Sequence, residues 1–189
     1  MLLAAAFLAV AVIDFAHAMT YPGMPSALGE SGPQLTIDFW LAGRAISALA
    51  LLAVAVLPLR TWSPNTAVAS VIVALVVSAL VWWISLVHGD WLPANVTSSG
   101  SLTTFKINTE YVLAATYFLA ALLMVRRRKS WSDPNLCFLV AGAWVLGLAE
   151  LLLTLYARPG DLLNVVGHAY KAAAYGRCSC RASKRRIGR

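Results

Sequence analysis

From Thr66 to His88 the chain carries no Asp, Glu, Lys or Arg. A run of that length and polarity reads as a membrane-crossing helix, because about 20 apolar residues match the roughly 30 Å hydrocarbon core. Comparable runs recur at Met1 to Ala18, Phe39 to Leu59, Phe105 to Val125 and Asn135 to Tyr156, with a shorter one from Leu162 to about Tyr175. Hydrophobic residues make up 60% of the chain and charged ones 12%, against roughly 45–50% and 25% in soluble domains. These runs predict an all-α, polytopic membrane helical bundle of about six segments, with no room for a soluble catalytic domain.

Charge then orients the segments. Arg60, the cluster Arg126 to Lys129 and the tail residues Arg177, Arg181, Lys184, Arg185, Arg186 and Arg189 fall on one side if the segments alternate. That side is expected to be cytoplasmic, with both termini on it. The net charge of +7 therefore reads as positive-inside topology and not as a nucleic-acid surface. Trp62 is a candidate interfacial anchor.

Several local patterns carry little. Ala16-His17-Ala18 resembles a signal-peptide cleavage site, but no basic region follows Met1 and Asp14 interrupts the approach, so the first run is expected to be a retained helix. Tyr21 to Asp38 holds Pro22, Gly23, Pro25, Gly29, Gly32 and Pro33 and reads as a loop. Asn95-Val-Thr97 fits a glycosylation acceptor but is too common a pattern to weigh. Cys137 opens an apolar run and is expected to be a small buried hydrophobe. Cys178 and Cys180 lack the further ligands a metal clip needs.

The informative residues are the ionisable ones inside the runs, since a charge in a bilayer is costly and tends to be functional. At 1.5 Å per residue, Asp14 and His17 lie near the outer end of the first run, and Arg44, Glu150 and His168 come out about 10 Å in from the outer face. Lys106 and Glu110 stand one helical turn apart, and Lys171 lies somewhat deeper. Five segments thus bring Asp14, His17, Arg44, Lys106, Glu110, Glu150, His168 and Lys171 toward one layer, whereas Thr66 to His88 brings none and is expected to face lipid. Two readings stay open for the layer. It is a set of ion pairs fixing one helix packing, or it lines a pocket open to the outside, with His17 and His168 able to bind a proton, a metal or a haem. A small transporter or channel subunit would need ionisable groups in both halves of the bilayer, and the cytoplasmic half is almost bare. No nucleophile–base pair or metal-ligand cluster points to an enzyme.

Five blocks in order, Ile13 to Met24, Phe39-Trp40-Leu-Ala-Gly-Arg44, Thr104-Phe105-Lys106-Ile107 with Glu110-Tyr111, Ala149-Glu150 with Thr154-Leu155-Tyr156, and Asn164 to Lys171, resemble the third of the bacterial membrane-associated sensor (MASE) domain families. The resemblance covers nearly all of Leu2 to Tyr175. It implies an N-terminal input module placed ahead of histidine kinase or diguanylate cyclase output in the bacterial inner membrane. The ligand is unknown, no cofactor is named, and a homodimer or a separate output protein would be the partner besides the bilayer itself. It also implies that His17, Arg44, Lys106, Glu110, Glu150, His168 and Lys171 belong to the family's polar set. The expected domain is 1–175, followed by a basic tail 176–189 whose Gly, Arg, Cys, Ser and Ala content suggests a frame-shifted copy that has lost its output, with the amino end also shortened. The nucleotide sequence around codon 176 tests that expectation.

Overall fold

In the computed structural model, residues 1–22, 24, 32–57, 63–127 and 135–154 are described. They form five long helices: α1 (Leu2–Met19), α2 (Pro33–Val56), α3 (Pro64–Val87), α4 (Thr104–Arg126) and α5 (Asn135–Thr154). A single 3-10 turn, Gly89–Trp91, follows α3, and the described residues contain one isolated β-bridge, Val96 to Leu102, but no strand. All five helices are long and apolar enough to cross a membrane. The all-helical membrane architecture expected from the apolar runs is thus present. The sixth run, with His168 and Lys171, lies outside the described residues, as do Arg60, Trp62, Arg128, Lys129, Cys178 and Cys180.

Helix starts are set by local chemistry. Ser63 caps α3 by accepting from the Thr66 amide at 3.2 Å, and Pro64 occupies the first turn, where its missing N–H costs nothing. Thr103 does the same for α4, accepting from the Lys106 amide at 3.3 Å. The start of α2 departs from expectation. Residues 33–38 were predicted as loop because Gly32 and Pro33 break helices, yet Gly32 is extended and Pro33 opens the helix. Proline breaks a helix only from its interior; at the first position its fixed φ favours initiation. Gln34 then reaches one turn along the helix to Asp38 at 3.0 Å, a spacing that supports the first turns. The earlier start places Arg44 roughly 16 Å along α2.

The chain divides into two compact units, Met1–Thr109 and Glu110–Arg189. In the first, small residues let the helices approach: Ala5 and Ala9 of α1 cluster with Ala74 of α3, and the Ser78 hydroxyl lies 3.4 Å from the Ala9 carbonyl and 2.8 Å from that of Ala74. A second cluster joins Ile13 and Ala16 of α1 to Phe39 of α2, with Trp82 of α3 edge-on to Phe39. α2 is the most enclosed helix, with 56% of its most apolar window buried, against 11% for α3. α3 exposes Val68, Ile72, Val76 and Leu80.

In the second unit Gly147 of α5 meets the Phe118 ring of α4 so closely that an added Cβ would stand 2.8 Å from it, and Phe118 tilts against Trp144. Cys137 corrects an expectation: it is exposed. Leu136 beside it is 3% exposed, and one position along a helix turns the side chain by about 100°, which here carries Cys137 off the buried face.

Candidate functional site

The ends of α1 and α2 are clasped by short polar side chains. The Thr36 hydroxyl lies 2.7 Å from the Thr20 carbonyl and 2.9 Å from the Gly32 carbonyl, and the Thr20 hydroxyl donates to Ala16 at 2.9 Å. His17 completes the clasp, its Nδ1–H donating to the Thr36 carbonyl at 2.8 Å. Because a carbonyl only accepts, this bond places a proton on Nδ1 and fixes the orientation of the ring.

About a turn deeper, Arg44 of α2 meets Asp14 of α1. One guanidinium nitrogen, Nη2, donates to both carboxylate oxygens, at 2.8 and 2.6 Å. The two partners are unequally enclosed: the Arg44 side chain is 1% exposed and that of Asp14 36%. Gly43 makes the approach possible, since a Cβ there would stand 3.0 Å from Asp14 Oδ1. Trp40 links the two polar elements. Its ring carries the Arg44 guanidinium at 4.9 Å and the His17 ring at 5.1 Å. Such cation–π contacts strengthen when water is excluded. Asp14 and His17, three residues apart on α1, therefore address Arg44 and Trp40, four apart on α2.

Lys106, Glu110 and Glu150 are each 0% exposed. Lys106 and Glu110 stand one turn apart on α4, and Glu150 lies on α5. Among the described residues, no group of three or more His, Cys, Asp or Glu side chains could hold a metal ion. His168 and Lys171 lie outside the described residues.

A second polar cluster lies outside the residues that the sequence singles out. Asp38 accepts from Asn95 Nδ2 at 2.6 Å and from Gln34 Nε2 at 3.0 Å. Gln34 Oε1 accepts from the Asn95 amide at 2.7 Å, and its Nε2 also donates to the Pro93 carbonyl at 3.2 Å. These bonds pin the 88–103 connection to α2. Asn95 is 1% exposed, so the glycosylation pattern is closed off by burial. The clue available in the sequence was the four-residue spacing of Gln34 and Asp38, legible only once α2 is allowed to start at Pro33.

Five helices long and apolar enough to span, three of which carry buried charged side chains, define a polytopic membrane protein. Residues 1–182 match the family model for MASE3, membrane-associated sensor domain, and the chain belongs to that family. Comparisons with curated proteins and with solved structures found no match.

Proposed function

We propose that this membrane-associated sensor domain serves as the input part of a histidine kinase or diguanylate cyclase type signalling system in the bacterial inner membrane. Both ends of its helical region face the cytoplasm, and a small ligand or a pH change acts from the outer side. The observation that carries the reading is the Asp14–Arg44–Trp40–His17 constellation, in which a guanidinium is held at 1% exposure between two candidate membrane spans. A buried charge of this kind is an expensive feature for a helix pair that needs only to pack.

Glu110 and Glu150 join the sensing set. Glu150 lies three residues beyond Gly147, and Glu110 eight before Phe118, the pair in contact between α5 and α4. In antiparallel spans both offsets run toward the same membrane face, which is the outer one under the positive-inside orientation. A ligand or proton that changes the charge balance among Asp14, His17, Arg44, Glu150 and His168 favours one of two helix arrangements by its differential affinity for them, and the segment 162–175 carries the change toward output.

Titration of the purified full chain with candidate ligands and with pH, followed by tryptophan fluorescence, tests the reading. Asp14→Asn, Glu150→Gln and His168→Ala are each expected to reduce or shift the response. Full wild-type responses from all three would remove the polar set from the sensing role.

A further inference from the structure

A cavity of about 310 Å³ lies within the first unit, walled by α2, α3, the 88–103 connection and the start of α4. It is a separate place from the Arg44 constellation. Its volume is roughly twice the ~150 Å³ of an apolar cavity that holds one benzene, and it reaches the lower end of the range for small-molecule sites. Most of its wall is apolar: Leu41, Ala42 and Ala45 of α2 and Val81 and Ile84 of α3 face it.

The polar part of the wall is small and, beside the Ser85 hydroxyl, consists of acceptors. Asp38 and Asn95 line it together, and the Asp38 carboxylate already takes its hydrogen bonds from the neutral amides of Gln34 and Asn95. Asn95 Oδ1 is buried and has no hydrogen-bond partner among the described residues. Thr109, also in the wall, spends its hydroxyl proton on the Phe105 carbonyl at 2.9 Å, so its oxygen too is left to accept. A buried acceptor without a donor is costly, and a ligand that supplies the donor recovers that cost.

We infer that this cavity binds a neutral, predominantly apolar molecule of roughly 10–14 heavy atoms carrying one hydroxyl, which donates to the Asp38–Asn95 wall. Acids are excluded because the Asp38 carboxylate repels them. An ammonium group would find a counter-ion in Asp38 but an otherwise apolar lining, so a neutral donor suits the wall better. Exposed Phe105, 45% accessible, stands at the edge of the cavity and offers such a molecule a route in from lipid. The inference stands whether or not the Arg44 constellation is the sensing site.

Photolabelling of the full chain in lipid nanodiscs tests it, using a diazirine-bearing 4-alkylphenol with 4-pentylphenol and its methyl ether as competitors. Labelling is expected on residues 92–95 and Phe105. The phenol should compete at about tenfold lower concentration than the ether, which corresponds to one hydrogen bond in affinity. Ala45→Phe, outside the Asp38 network, fills the cavity and should abolish competed labelling, while Asn95→Leu should bring phenol and ether to parity. Equal competition by the two in the wild-type chain, labelling that survives Ala45→Phe, or a preference that survives Asn95→Leu would each overturn the proposal. Because the readout is occupancy and not signalling, its failure would leave the proposed function standing.

Discussion

Arg44 is enclosed almost completely while its counter-ion Asp14 keeps about a third of its surface open, and this asymmetry has a thermodynamic consequence. Removing the carboxylate leaves a cation with little access to water, whereas removing the guanidinium leaves an anion that can still be solvated. Asp14→Asn should therefore lower the unfolding midpoint in detergent more than Arg44→Met does. A double-mutant cycle should give a coupling of about 0.5–3 kcal/mol, and a coupling near zero would show that the pair is incidental. The charges at 14, 17 and 44 could be read from the sequence because a bilayer makes each of them conspicuous. Their pairing could not: Asp14 and His17 share a helix face, and only the structure shows that the acid meets Arg44 while the imidazole turns to the Thr36 carbonyl and the Trp40 ring. The Asp38–Asn95 bond spans 57 positions and joins residues that each had a blander local explanation, so neither drew notice.

Between elements, two glycines set how closely helices approach. At Gly43 an added methyl would stand 3.0 Å from Asp14 Oδ1, so Gly43→Ala displaces the carboxylate by a few tenths of an ångström. It should destabilise the wild-type chain yet be nearly silent in an Asp14→Ala background, a non-additivity readable from melting curves of the four variants. At Gly147 the obstacle is the Phe118 ring at 2.8 Å. Gly147→Ala should cost about 1–3 kcal/mol through overpacking, and Phe118→Leu should return part of the loss; no recovery would mean that the ring is not what limits the approach. Helix extents were legible to within about two residues for α1, α3 and α4, and so was the start of α5, since apolar runs bounded by turns leave little freedom. α2 was shortened in the reading because two helix breakers stand where they act as helix starters.

At the scale of the molecule, α3 carries the topological prediction. It has no charged residue and is exposed along most of its length, so its two ends should lie on opposite sides of the membrane. In a cysteine-free background, Ser63→Cys and Thr97→Cys should differ in reaction with an impermeant maleimide added to intact cells, with Thr97→Cys labelled and Ser63→Cys protected. Labelling of both from outside would mean that α3 does not cross. Class and architecture were readable at this scale because lipid admits so few backbone solutions. The cavity was not readable, because it is made by residues from four separate stretches of chain that no single periodicity connects.

The connection after α3 is built more like a small folded element than like a tether. Gly100 turns the chain at φ 81°, the Thr97 amide donates to Ser101 at 2.8 Å and the Thr103 amide to Asn95 at 2.9 Å, while Gln34 and Asp38 hold Asn95 from below. Deuterium uptake at the amides of Asn95, Thr97 and Thr103 should accordingly lag well behind that of Ser98 and Ser99, and Gln34→Ala should erase the lag at Asn95 first. A surface link that resists solvent isotope in this way moves with α2 as one piece, so that displacing either would displace the other.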